Sequence, residues 1–236
     1  PHFPLKEPDM WLALYPEIKV ASRRWFAASV THMDDGIRKI VSALEETGLR
    51  ENTLLVFVSD NGGQKSWHSD TQYKGRYAEL PHTVLGNNLP LRGWKGDCYE
   101  GGIRVPALIN WPGTLSSGKI EAPMHIVDWM QTLCSLAGGA PEPNLPWDGQ
   151  NIWPIISGET TRIPERTFYW KTSGAWALRK GDWKLILSRK DGRSELFNLK
   201  NDPLEKNDLA DPESSRVREL KAVLTQIASR DRERHS

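Results

Sequence analysis

Thr53-Leu54-Leu55-Val56-Phe57-Val58-Ser59-Asp60-Asn61-Gly62-Gly63 is the stretch on which the fold turns. Residues 53–58 form a continuous apolar, partly β-branched run without polar alternation. Such a run suits a strand covered on both faces, the pattern of a central strand in a parallel α/β sheet. It ends abruptly, leaving a carboxylate and an amide oxygen side by side just past the strand. In open α/β sheets that edge is where ligands bind. A hard divalent cation takes several oxygens at about 2.3–2.6 Å, and Asp60 and Asn61 offer one charged and one neutral donor. Asp, Asn and Gly are also the residues that turns select, so the tetrapeptide alone leaves both readings open.

Upstream, Phe26, Val30, Met33, Ile37, Ile40, Val41 and Leu44 recur at spacings of three and four, an amphipathic helix stopped by Gly48. The first twenty residues are proline-rich and read as extended. Downstream, residues 65–88 are polar and irregular, with Trp67, His68, Tyr73, Tyr77 and His82 spread through them. A structureless stretch of this length is functional or disordered, and the scattered aromatics favour a working rim loop. Residues 104–111 read as a second strand. Ile126, Val127, Met130, Leu133, Cys134 and Ala137 form a second amphipathic helix, closed by Gly138-Gly139.

The expected organisation is therefore an α/β portion over residues 1–140, a loop-rich connection over 141–165 and a small α+β unit over 166–236. Strands are expected at 168–171, 176–179, 183–188 and 195–199, with Gly181-Asp182 and Asp191-Gly192 as hairpin signals. Val217, Leu220, Leu224 and Ile227 make a closing helix, and residues 230–234 are expected to fray.

Composition removes several classes. The 236 residues carry 31 Lys+Arg against 30 Asp+Glu, so no global charge recommends a nucleic acid. A 38% hydrophobic fraction with 11 Trp excludes wholesale disorder. No run approaches the roughly 18 apolar residues of a membrane span. Two cysteines, Cys98 and Cys134, cannot build a disulfide framework or a thiolate zinc site. No glycosylation sequon occurs. Pro1-His2-Phe3-Pro4 has neither Met nor a signal-like segment and reads as a cut end.

Two further places hold chemistry. Lys95-Gly96-Asp97-Cys98-Tyr99-Glu100-Gly101-Gly102 puts an ammonium in a glycine-rich loop, where it can hold an oxyanion as a point charge. An exposed loop lysine is the plain alternative. His2, in a rigid Pro-His-x-Pro frame, could serve as donor or general acid near neutral pH.

These pieces occur in one order. Pro-His-x-Pro is followed by Asp60-Asn61-Gly62-Gly63, then by Leu91-Arg92-Gly93-x-Lys95-Gly96-x-x-Tyr99-Glu100-Gly101-Gly102-x-Arg104-x-Pro106. Further on come Trp111-Pro112-Gly113, Asp128 with Leu136-Ala137-Gly138, and Asp148-Gly149. Gly181-Asp182-Trp183-Lys184-Leu185, Leu196-Phe197-Asn198-Leu199 and Asp202-Pro203 complete the set. The ordered set resembles the type I sulfatase (arylsulfatase) family of the alkaline-phosphatase-like superfamily, over essentially the whole chain.

The resemblance implies a mixed, mainly parallel sheet sandwiched by helices, with a small C-terminal antiparallel sheet plus helix. It implies metal-dependent hydrolysis of sulfate monoesters. Asp60 and Asn61 match two ligands of a divalent cation, usually Ca²⁺; Lys95 matches the lysine that contacts the sulfate, and His2 the histidine beside the scissile ester oxygen. The physics agrees, because negative charge develops on bridging and peripheral oxygens in such a hydrolysis. Either His2 or Lys95 could protonate the leaving alcohol.

The family nucleophile is a formylglycine made in a Cys/Ser-x-Pro-x-Arg motif, which neither Cys98 nor Cys134 matches; both read as packing residues. Asp34-Asp35 lies within a helix, unlike the family's Asp-Asp ligands, and reads as structural. The nucleophile and the other carboxylate ligands are expected in an N-terminal half that this chain lacks. That half is the expected partner, and the chain alone is expected to be inactive. The family's export signals point to the periplasm or beyond. The same pattern admits a phosphate or phosphonate ester hydrolase of this superfamily. It also admits a non-catalytic fragment that binds sulfated glycans through residues 65–88, where Lys65, Lys74 and Arg76 accompany the aromatics.

Overall fold

The computed structural model describes residues 1, 2, 5, 7–65, 86–140, 142, 144–161 and 164–231. The side chains expected to work in the 65–88 loop, from Trp67 to His82, lie outside the described residues, as do Phe3 and Pro4.

Pro8 starts a short helix, α1 (Asp9–Leu12), where the sequence had suggested extended chain. A proline at a helix start removes an N–H that has no partner there anyway. α1 lies on α2 (Ala21–Glu46): Arg24 Nε donates to the Leu12 carbonyl at 2.9 Å and Trp11 stacks on His32. Gly48, at φ +69, ends α2, its N–H bonding the Glu45 carbonyl and that of Leu49 the Leu44 carbonyl. Asp35 pairs along α2 with Arg38 and Lys39, which hold its carboxyl below the usual range, Lys39 most. Its structural reading fits these helix-surface pairs.

β1 (Leu55–Val58) follows a 3₁₀ turn and pairs antiparallel with β2 (Ala107–Asn110), from Leu55↔Asn110 to Val58↔Ala107. The mainly parallel sheet is therefore not what the described residues form; every strand pair among them is antiparallel. An apolar run reports that faces are to be covered, but not the direction of the neighbouring strand. Nor are the faces covered: Val56 is 39% exposed and Leu108 67%. Between the two strands lies α3 (Glu100–Ile103), a single turn at the Tyr-Glu-Gly-Gly stretch.

α4 (Asp128–Leu136) is tied to the connection that follows. The buried Asp128 accepts from the backbone N–H groups of His125 and Gln150 and forms an ion pair with Arg166 at 2.8 Å. Thr132 Oγ1 accepts the Ile152 N–H at the head of α5 (Trp153–Ile156). The connection is thus tied to α4 at its middle and just past its end.

β3 (Thr167–Lys171), β4 (Ala175–Lys180), β5 (Trp183–Ser188) and β6 (Ser194–Asn198) form an antiparallel meander in chain order. Gly181, at φ +56, turns β4 into β5. Alternation along the strands sorts the side chains. Leu178, Leu185 and Leu196 share one face and pack against Leu220 and Leu224 of α6 (Ser214–Ala228). Ala177, Ile186 and Phe197 share the other, where Cys98 and Tyr99 from the first portion complete a second cluster. The small unit thus has both sheet faces filled, one of them by the Lys95 loop.

Candidate functional site

The strand β1 delivers Asp60 and Asn61 at its end, as the apolar run suggested. Ser59 N–H bonds the Pro106 carbonyl at 3.0 Å, the last tie to the β2 side before the chain turns. The turn then meets α3 at very close range. Gly62 N–H donates to the Gly102 carbonyl at 2.9 Å, and a Cβ on Gly62 would stand 1.8 Å from the Gly101 oxygen. Only glycine fits there.

The Lys95 loop is sewn to the same turn. Lys95 N–H donates to the Gly63 carbonyl at 3.0 Å. Asn88 bridges the rest: its Oδ1 accepts the Gly63 N–H, and its Nδ2 donates to the carbonyls of Gly63 and Gly93. Within the loop Asp97 Oδ2 accepts the Trp94 N–H, and Gly96 at φ +92 makes the bend that carries Lys95. The backbone thus ties the Lys95 loop to the turn that follows Asp60 and Asn61, and Asp60 and Lys95 are both exposed.

His2 lies at the start of the chain, next to α2. It lines a cavity against α2 with Leu5, Ser29 and His32, one that Asp60, Asn61 and Lys95 do not line.

Asp60 and Asn61 fit a hard cation in donor type but not in number. Ca²⁺ takes about six to eight oxygens, and the described residues contain no group of three or more His, Cys, Asp or Glu able to hold a metal. The Asn61 amide nitrogen donates to the Gly62 carbonyl, which orients the amide. These two residues can hold part of a cation's shell and need further donors.

Behind the loop sits a cluster that sequence reading missed. Lys184 and Glu205 are fully buried, and Glu100 nearly so. Lys184 Nζ donates to Glu100 Oε1 at 2.9 Å and stands 2.7 Å from Glu205 Oε1, off the hydrogen-bonding direction. Glu205 Oε2 accepts the Glu100 N–H at 2.7 Å. Burial pushes the Glu205 carboxyl up from its ordinary value, against the pull of Lys184. Alongside, Tyr99 donates its hydroxyl to Glu195, and burial together with that carboxylate raises the phenol far above its usual range. Arg92 lies over the Tyr99 ring at 4.0 Å. One signal was available: alternation puts Lys184 on the same inward face as Ile186, and a lysine there needs a buried partner. Nothing local marks Glu205.

Cys98 is 2% exposed in the sheet cluster, and burial raises its thiol, as a packing residue requires. Cys134 is a half-buried free thiol on α4.

The comparisons agree with the order of motifs. The sulfatase family profile matches residues 1–140, and that of the N-sulphoglucosamine sulphohydrolase C-terminal region matches residues 94–231. Arylsulfatase J from Mus musculus is 34% identical over 195 residues, covering 79% of this chain and 30% of that protein. Arylsulfatase A from Homo sapiens is 33% identical over 165 residues, covering 67% and 29%. The crystal structure of Ps i-CgsB in complex with k-i-k-neocarrahexaose superposes with a TM-score of 0.76 at 32% identity, over 94% of this chain and 47% of that one. The chain belongs to the sulfatase family. It spans about half the length of the solved relatives and about 30% of the curated ones.

Proposed function

We propose that this chain is the C-terminal part of a metal-dependent sulfuric ester hydrolase, completed by an N-terminal half that brings the nucleophile. The observation that supports this reading is the backbone clasp that ties Lys95 to Gly63, two residues past Asn61. In this reading the Lys95 ammonium holds the sulfate as a point charge and gains strength as its peripheral oxygens become more negative. Asp60 and Asn61 supply two oxygens to a Ca²⁺-class cation, which when bound polarises the ester. His2 serves the bridging oxygen once the Pro-His-x-Pro segment is seated. A formylglycine from the N-terminal half supplies the nucleophile.

That half has a surface to occupy. Val30, Met33, Ile37 and Ile40 of α2 are exposed, as are Val56 of β1, Leu108 of β2 and Met130 and Leu133 of α4. Apolar surface on this scale marks an interface. Among the described residues no helix is long and apolar enough to cross a membrane, so lipid-spanning helices do not account for it.

The substrate class to assay first is a sugar sulfate. N-acetylgalactosamine-6-O-sulfatase of Bacteroides thetaiotaomicron is 28% identical over 85% of this chain, and the complex with k-i-k-neocarrahexaose points the same way. The test is kinetic. In protein carrying both halves, Lys95→Ala should lower kcat/KM for a sulfate ester by about 100-fold or more, the scale of losing one transition-state donor. Sulfate esters should be preferred over the matching phosphates. A phosphate preference would move the protein to the phosphoester branch of the superfamily. An unchanged rate in Lys95→Ala would remove the assignment.

A further inference from the structure

Burying two carboxylates with one ammonium is costly, and an apolar trio of similar volume is commonly as stable or more so. The cluster of Lys184, Glu100 and Glu205 therefore calls for a role other than holding the sheet together. Its geometry supplies one. Glu205 grips the Lys95 loop at both ends: its carboxylate takes the Glu100 N–H at 2.7 Å, and its backbone carbonyl takes Arg92 Nη1 at 2.9 Å. Lys95 lies between the two gripped residues. The grip passes on through α3, because Gly101 and Gly102 press directly on Gly62, and Gly101 N–H bonds the Arg92 carbonyl at 2.6 Å. Gly62 is the residue next to Asn61. Glu205 is also the only described non-glycine residue at positive φ, +55, a conformation that costs energy and persists where the surroundings impose it.

We infer that Glu205, with Lys184 and Glu100, is a positioning cluster through which the C-terminal sheet sets the Lys95 loop against the Asp60-Asn61 turn. The inference rests on the reading of Lys95, Asp60 and Asn61 as the reacting site. It adds that the small unit is part of the site's alignment and not an appendage. None of the three residues is placed to touch substrate; they act through α3.

Glu205→Gly separates positioning from stability. It removes the grip on Glu100, relieves the positive φ, and leaves Lys184 and Glu100 as a balanced pair. Amide hydrogen exchange on the 236-residue chain is the readout. The amides of Gly62, Lys95 and Glu100 should exchange about tenfold faster, while those of Leu185 and Ile186 in β5 keep their rates. Glu205→Gln, which retains an amide oxygen for the Glu100 N–H, should recover most of the protection. Unchanged site amides would overturn the inference, and so would a loss spread evenly over β4, β5 and β6, which makes the cluster a plain stabiliser of the sheet. Titration with inorganic sulfate, followed at the Lys95 amide, tests the other reading separately. No response in the unmodified chain counts against Lys95 as a sulfate contact, while the exchange rates still decide the positioning role.

Discussion

Residues 21–136 and residues 167–228 use the same materials to opposite effect. Both contain amphipathic helices and apolar strands. In the second region every apolar face has found a partner: Leu178, Leu185 and Leu196 meet α6, and Phe197 and Ile186 meet Cys98. In the first, the stripe of α2 and the faces of β1 and β2 stand open, with Ile40 58% and Leu108 67% exposed. A side chain's hydrophobicity thus says that it is meant to be covered, and only the fold says by what. The small C-terminal unit is covered by α6 on one face and by the Lys95 loop on the other; the larger portion leaves apolar surface exposed. The Lys95 loop is the exception in the first region, because it is packed onto the second.

The largest effects should come from breaking the closed region. Phe197→Ala should cost about 3–5 kcal/mol in urea unfolding, the loss expected for truncating a fully buried aromatic. Lys184→Met should cost a similar amount, about 3–5 kcal/mol, since it leaves Glu100 and Glu205 facing each other with no cation. Comparable stability in both variants and the parent chain would mean that the second region is not the closed core described.

Next in size is an acid effect at the joint between the two regions. His125 lies against Phe168 and Trp170, and burial lowers its ring below the ordinary value of 6.5, with Arg166 adding to this and Asp128 opposing it. Below that value the unfolded chain binds more protons than the folded one, so stability falls as pH drops through 6.5 and stops falling below the folded value. His125→Gln should flatten the decline in urea midpoint between about pH 7.5 and pH 5.5. An identical decline in the variant would remove His125 as its source.

The smallest effects belong to the open faces. Leu108→Lys or Ile40→Lys should change the stability of the isolated chain by no more than about 0.5 kcal/mol, because neither side chain has a core to leave. Self-association should fall, read by light scattering. A loss comparable to that of Phe197→Ala would show these faces to be covered after all.

Much of this contrast was legible beforehand. The four C-terminal strands follow the alternation and the glycine turns closely: the expected 183–188 is β5 itself, and 168–171 misses only Thr167 of β3. The Asp60-Asn61 pair falls at the end of a strand because an apolar run breaking into Asp-Asn-Gly-Gly has few other ways to fold. The direction of the β1 partner was not legible, since period-two and all-apolar patterns are blind to it. α3 was hidden by its own composition. Gly101 and Gly102 are poor helix formers, and the turn is held by Glu205, 105 residues away in sequence.

The central claim is that the open faces and the half-built site of this chain are completed by one N-terminal segment. The direct test is sulfate ester hydrolysis by the chain alone and by the chain co-expressed with that segment, both assayed with Ca²⁺ present. The account predicts no turnover from the chain alone and turnover from the pair, abolished by Asp60→Ala together with Lys95→Ala. Metal-dependent turnover by the purified 236-residue chain, free of any partner, would contradict it.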